Sequence, residues 1–274
     1  MTALSDGDRD RLARAFADLV TQAGAIAMDI LAAPALSARM KSDRSPVGEA
    51  DEKIEAYLLE RLARLLPGVP ILAEEAAARG ERPGPAETLL LVDPLDGTRE
   101  FLARRDEFTV DIGLVVGGAP CIGAVFAPAL GELWFAGASA FGAAAVPGGD
   151  APPAERCRPL RVRTIPREGP VALVSRSHPD RETRALLRRL GVTDIRAAGS
   201  SLKFCRLAEG AADIYPRFGP TMEWDTAAGD AVLRAAGGVV LEPSGRPLRY
   251  GKVETGYRNG PFIAAGDPAA ARFC

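Results

Sequence analysis

The sequence predicts an α/β protein in two parts, an α+β half over residues 1–150 and an α/β half over 151–274, forming one functional unit with its site between them. Three observations carry this. Leu89-Leu90-Leu91-Val92 is a continuous apolar run with the length and composition of a buried strand. From Phe108 to Phe135, short β-branched and apolar runs are broken by a Gly117-Gly118 turn, the pattern of an antiparallel meander. Beyond residue 170, strand-like and helix-like segments alternate, as they do in α/β units.

Each element follows from local pattern. Residues 8–32 carry Leu12, Phe16, Leu19, Ala23, Ile26 and Ile30 at three- and four-residue spacing, an amphipathic helix ended by Pro34. A polar loop over 39–50 leads to Asp51, placed in the first turn of a second helix bearing Ile54, Tyr57, Leu58, Leu62 and Leu65 and stopped by Pro67-Gly68. Val69 to Ala73 is a short strand ending at Glu74-Glu75, and 76–87 is a mobile loop rich in Gly, Pro and charge. Arg99 to Arg105 forms a helical turn, followed by strands at 108–116, 121–126 and 132–135. The segment 142–170 joins the halves, with one strand at Leu160 to Arg163. The second half has strands at 171–174, 194–197, 213–215, 239–241 and 262–265, with helices at 180–190, 200–208 and 226–236.

Composition bounds the function. The chain has 274 residues, 47% hydrophobic and 26% charged, enough for one large or two coupled domains. A net charge of −2 offers no basic excess for a nucleic-acid polymer. No uninterrupted apolar run approaches the ~18–20 residues of a membrane span, and the charged start (Asp6, Asp8, Arg9, Asp10, Arg11) is unlike a signal peptide. Cys121, Cys157, Cys205 and Cys274 are widely spaced and read as reduced thiols. The expected location is the cytoplasm, with peripheral attachment at the inner membrane face left open. A single histidine, His178, excludes a multi-histidine metal centre. Nothing in the sequence sets an oligomeric state.

Chemistry concentrates at Asp93-Pro94-Leu95-Asp96-Gly97-Thr98. Pro94 fixes its own φ and has no N–H, so the strand is expected to turn there and to bring two carboxylates and the Leu95 carbonyl to its carboxyl end. Unneutralised carboxylates this close repel. A hard divalent cation such as Mg²⁺ removes the conflict, because it takes oxygen ligands and keeps waters for a phosphate. Asp93-Pro94 alone reads as an ordinary acidic turn; the full motif behind a buried strand favours the metal. In the second half, Trp224-Asp225-Thr226-Ala227-Ala228-Gly229 opens a helix with Asp225 in an N-cap position. Such a terminus also offers N–H groups to phosphate.

VDPLDGTREF resembles the signature of the inositol monophosphatase-like superfamily of Mg²⁺-dependent, lithium-sensitive phosphatases, and W-D-x-A-A-G resembles its second signature. S-P-V-x-x-A-D resembles the segment that supplies a catalytic carboxylate, here Asp51, although the Thr usual three residues earlier is Gly48. The resemblance implies a layered α-β-α-β-α sandwich. It implies two or three Mg²⁺ ions per site, held by Glu74, Asp93, the Leu95 carbonyl, Asp96 and Asp225. By the same analogy Asp51, Thr98 and Glu74 are catalytic, with Thr98 paired to Asp51 to orient water, and the Gly97 and Thr98 amides hold the scissile phosphate.

Ser175-Arg176-Ser177-His178, Gly199-Ser200-Ser201-Leu202-Lys203 and Tyr215-Pro216-Arg217 place two Arg, a Lys, a His and several Ser at loop ends. Such a set suits a second phosphate away from the metals. These segments resemble the bacterial 3'(2'),5'-bisphosphate nucleotidase branch, which makes Ser177, His178, Ser200, Lys203, Arg217 and Asp225 substrate-binding. The implied partner is a small bisphosphate nucleotide, 3'-phosphoadenosine 5'-phosphate, converted to AMP. An inositol or sugar phosphatase is the alternative of the same chemistry. A non-catalytic nucleotide sensor is the alternative of another class, and the intact acidic set argues against it.

Overall fold

The computed structural model describes residues 4–33, 46–178 and 180–269. Pro34, residues 39–45 of the expected polar loop, and Cys274 lie outside these. Helix α1 (Asp6–Ala32) begins at Ser5, whose hydroxyl accepts from the Asp8 amide at 3.2 Å. Its buried face is Ala13, Phe16, Ala17, Val20, Ala23 and Ala27, rotated from the stripe of large residues read in the sequence. Small residues win this face because they let the helix lie close on a sheet. By length and composition α1 could cross a membrane; here that face is packed in the core. Helix α2 (Pro46–Leu65) starts earlier than expected, with Pro46 as its first residue. Residues 46–50 are therefore helical, and Asp51 stands in the second turn, outside the reach of the first-turn dipole argument.

A seven-stranded sheet follows, in the order β1 (Ile71–Ala73), β2 (Thr88–Asp96), β3 (Thr109–Val116), β4 (Ala119–Ala127), β5 (Glu132–Ala136), β6 (Ala140–Ala144) and β7 (Arg158–Pro159). Helix α3 (Glu74–Ala78) occupies the start of the segment expected as loop. The expected strand at 160–163 does not form; Arg158 and Pro159 pair with Gly142 and Phe141 instead. The second sheet runs β12 (Val239–Leu241), β14 (Phe262–Ala265), β10 (Ile214–Arg217), β8 (Val171–Ser175) and β9 (Asp194–Ala198). A two-stranded ribbon, β11 (Thr221–Met222) with β13 (Arg258–Asn259), was not signalled by the sequence.

The elements stack as helix, sheet, helix, sheet, helix. Helices α1 and α2 bury Phe16, Val20, Ile54, Leu58 and Leu62 against one face of the first sheet, with Val110, Ile112 and Leu114 of β3. Its other face, through Leu89, Leu91 and Val115, shares a core with α6 (Leu202–Ala208) and α7 (Trp224–Ala235). Helix α5 (Arg181–Arg189) closes the far face of the second sheet through Leu187.

Helix α7 lies almost on the first sheet's backbone. A Cβ on Gly123 would meet the Ala228 carbonyl oxygen at 2.4 Å, and one on Gly113 would meet Ala227 and Ala228 at 2.9 Å. Glycine is required at both places for close approach. Gly123→Ala should push α7 off the sheet and cost roughly 1–3 kcal/mol of stability by overpacking. Urea unfolding measures it; an unchanged midpoint and slope would show that α7 has room to move.

Candidate active site

Two carboxylates at positions 93 and 96 of one strand belong on opposite faces, because side chains alternate. The structure resolves this with a bulge. Leu89 and Leu91 face the α6–α7 core, Leu90 and Val92 the α1–α2 core, and Leu95 joins the latter. The register between β2 and β3 shifts between Asp93, opposite Asp111, and Asp96, opposite Thr109. One extra residue reverses the alternation and turns Asp93 and Asp96 to the same side. The strand therefore does not stop at Pro94, as the sequence suggested, but slips and continues to Asp96. Pro94 removes one ladder donor, and the Asp93 carboxylate accepts from the Leu95 amide at 3.1 Å. Gly97, at φ +93°, then turns the chain into α4 (Thr98–Leu102).

Glu74 comes from the end of β1, which runs parallel to β2, and Asp225 from the start of α7. Glu223 is the N-cap of α7, so Asp225 is inside the helix rather than capping it; its Oδ2 accepts from the Met222 amide at 2.8 Å. Glu74, Asp93, Asp96 and Asp225 line one cleft of about 360 Å³, together with Leu95, Gly97, Thr98, Ser177, His178, Ser200, Lys203 and Arg217. Of the residues expected from the sequence, Asp51 and Arg176 are absent from the lining. Asp51 is buried, and its charge acts on Glu74. The expected Thr98–Asp51 pair is not made: the Thr98 hydroxyl donates to the Leu95 carbonyl at 3.4 Å.

Electrostatics define the cleft. Burial raises Glu74 to about 7, with Asp51 and Asp96 adding to the effect. Burial raises Asp96 to about 6 against the pull of Lys203. It raises Asp93 and Asp225 well above the carboxylate range, with Glu74 repelling the first and Asp96 the second. Asp51 is brought to about 7 by burial and then by Glu75. Among the described residues no three of these groups converge tightly enough to form a finished cage. The donor set is oxygen only and carries excess negative charge, which fits a hard divalent ion.

Of the expected cations, Lys203 and Arg217 line the cleft and Arg176 does not. Arg176 faces away from the cleft and forms a bidentate pair with Glu107, both contacts at 2.9 Å. Lys203 is not on a solvated helix face: it is 4% exposed, donates to the Ser200 and Ala198 carbonyls, and lies 5.1 Å from the centre of the Tyr215 ring. Burial lowers it to about 8 although Asp96 opposes this. Arg217, 6% exposed, donates to the Gly219 and Pro220 carbonyls and has no carboxylate partner among the ion pairs of the described residues. The Ser177 hydroxyl donates to Glu100, and its carbonyl accepts from Arg99 at 2.8 Å. Burial, Arg99 and Arg217 hold His178 below the usual imidazole range.

Sequence reasoning missed Asp111. It is 1% exposed on β3, opposite Asp93. Thr109 and Ser201 are its polar neighbours, but their hydroxyls bond to each other at 2.9 Å, and neither Asp111 oxygen has a hydrogen-bond partner. Burial and the charge of Asp96 raise it far above the carboxylate range. The signal was present: β3 alternates between two cores, and an acid at an inward position of such a strand requires a reason.

The whole chain can be compared with known proteins. Residues 8–271 match the inositol monophosphatase family. The 3'(2'),5'-bisphosphate nucleotidase CysQ of Escherichia coli O157:H7 is 40% identical over 245 residues, covering 88% of this chain and 91% of that protein. The crystal structure of CysQ from Bacteroides thetaiotaomicron superposes with a TM-score of 0.78 at 35% identity, covering 94% and 97% of the two chains. An inositol monophosphatase from Zymomonas mobilis gives 0.75 at 27% identity, covering 98% and 97%.

The raised carboxyl groups predict an unusual pH response in chelator-treated protein. Asp51 and Glu74 bind protons more tightly folded (about 7) than unfolded (3.8 and 4.5). Between those limits the folded state holds more protons, so stability falls as pH rises. Melting temperature should drop from pH 5 to pH 8 in EDTA; a rise through that window would contradict the buried cluster.

Proposed function

The chain belongs to the inositol monophosphatase family, and on that premise we propose that it is a metal-dependent 3'(2'),5'-bisphosphate nucleotidase, releasing phosphate from 3'-phosphoadenosine 5'-phosphate to leave AMP. The observation that carries this reading is one cleft lined both by the carboxylates Glu74, Asp93, Asp96 and Asp225 and by two deeply buried cations, Lys203 and Arg217. A monophosphate ester bound through metal needs only the carboxylates. A molecule with two phosphates also uses the cations.

The first half supplies Glu74, Asp93, Leu95 and Asp96, and the second supplies Asp225, as the residues that would hold two or three Mg²⁺ ions. Mg²⁺ there would act as a Lewis acid toward phosphoryl oxygen and make water more acidic. The remaining roles belong to the chain. Gly97 and Thr98 precede the first intrahelical bond of α4, Phe101 N–H to Gly97 carbonyl at 2.9 Å, so their amides are available to the scissile phosphate. The Thr98 hydroxyl, now on the Leu95 carbonyl, can turn to a water. Asp51 tunes Glu74 through its charge. Lys203 and Arg217 face the second phosphate, and His178 and Ser200 the nucleoside. Binding energy from that remote part can raise kcat as well as lower KM.

Asp93→Asn and Asp225→Asn should each abolish Mg²⁺-dependent turnover and preserve the fold. Asn imitates the neutral acid that burial already favours at both positions. Phosphate release by a folded Asp93→Asn protein at the wild-type rate would defeat the assignment.

Substrate and ion specificity can be read in one assay. Phosphate release should require MgCl₂, be faster with 3'-phosphoadenosine 5'-phosphate than with inositol 1-phosphate, and be inhibited by LiCl beyond a NaCl control. A preference for the inositol ester would move the chain to the simple monophosphatase reading. Equal inhibition by both salts would remove the lithium expectation.

A further inference from the structure

Glu107 is not itself part of the cleft lining, yet three polar contacts converge on it. It stands between α4 and β3, on the first sheet's side. Its Oε2 accepts from Arg176 Nε at 2.9 Å and from the Gly199 amide at 2.8 Å, and its Oε1 accepts from Arg176 Nη2 at 2.9 Å. Arg176 follows β8 and Gly199 follows β9. The same guanidinium donates on to the Ala197 carbonyl at 2.9 Å, and the Arg176 amide donates to the Ala198 carbonyl at 3.2 Å. One carboxylate thus ties two neighbouring strand ends of the second sheet to one point of the first.

What those strand ends deliver gives the tie its meaning. His178 lies two residues beyond Arg176, and Ser200 directly follows Gly199. Both face the cleft. The contact is tight enough to exclude side chains: a Cβ on Gly199 would meet the Glu107 carbonyl oxygen at 2.6 Å. On the opposite flank, a Cβ on Gly97 would meet that same oxygen at 3.1 Å and Ser200 Cβ at 3.3 Å. The peptide after Glu107 is therefore clamped between the carboxylate-bearing turn and the loop carrying Ser200. Both Glu107 and Arg176 are partly exposed, so the pair contributes little to global stability. A bidentate guanidinium plus a backbone amide fixes geometry instead.

We propose that Glu107 is a positioning residue that sets substrate selectivity by holding the ends of β8 and β9 at a fixed distance from the carboxylate turn. The proposal rests on the bisphosphate nucleotidase reading. A substrate that engages both the carboxylates and the residues at the ends of β8 and β9 feels that distance; a small ester bound only at the carboxylates does not. Neither Glu107 nor Arg176 lines the cleft, so their loss acts through loop placement, and the uncharged Glu107→Gln separates this from the charge that Glu107 exerts on Lys203.

The test compares 3'-phosphoadenosine 5'-phosphate with p-nitrophenyl phosphate, at saturating Mg²⁺, on wild type, Glu107→Ala, Glu107→Gln and Arg176→Gln. Glu107→Ala should lower kcat/KM for the bisphosphate about 10-fold or more, mainly through KM, and change the small ester by less than about 3-fold. Glu107→Gln, which still accepts from the Gly199 amide, should recover part of the loss. Arg176→Gln leaves the Glu107–Gly199 contact in place and serves if Glu107→Ala fails to fold; it should show the same selective loss in weaker form. Equal losses on both substrates would make Glu107 a general scaffold residue and overturn the proposal, as would an unchanged ratio. A wild type that does not favour the bisphosphate would overturn the functional reading and the selectivity role together. A wild type that favours it, with variants that keep the full preference, would overturn the role of Glu107 alone.

Discussion

A strand that must present two acids on one face cannot remain regular. The slip between Asp93 and Asp96 is the constraint on which the site depends, since without it Asp96 would point into the α1–α2 core. Pro94 makes the slip inexpensive by removing the donor that a regular ladder would use. Asp93 then supplies the acceptor for the next amide, at 3.1 Å. The carboxylate that belongs to the site is also the one that holds the bulge closed, so local structure and site chemistry cannot be separated at this residue.

Burial makes the arrangement costly, and the cost has a direction. Carboxyl groups withdrawn from water favour their protonated forms, and neighbours of like charge add to this. Only cations reverse it. Lys203 does so in part from inside the protein, and it is held there by two carbonyls and a tyrosine ring rather than by an acid partner. The cleft thus carries two buried cations in advance, Lys203 and Arg217, beside a carboxylate cluster that further cations would complete. A ligand that brings both metal and phosphate matches that lining.

Much of this was legible in the chain, for reasons that can be named. The D-P-L-D-G-T and W-D-x-A-A-G stretches have local meaning, because turn chemistry and helix starts are set by adjacent residues. The alternation of strands and helices after residue 170 is likewise local. What failed was positional. Asp51 moved from the first to the second helical turn because Pro46 opens the helix, a start the polar composition of that stretch hid. The strand read at 160–163 was displaced by Arg158–Pro159, since pairing with β6 decides which residues extend the sheet. Arg176 looked like a phosphate ligand because its partner is 69 residues away. Tertiary partners settle such positions, and no window of adjacent residues contains them.

The closeness of α7 to the first sheet bears on how the chain is made. Gly113 and Gly123 are synthesised before Ala227 and Ala228, which cover them. Until then the sheet has one face shielded by α1 and α2 and the other bare. The helix that covers that face also brings Asp225. Completion of the core and arrival of Asp225 are thus coupled, although Glu74, Asp93 and Asp96 come earlier in the chain.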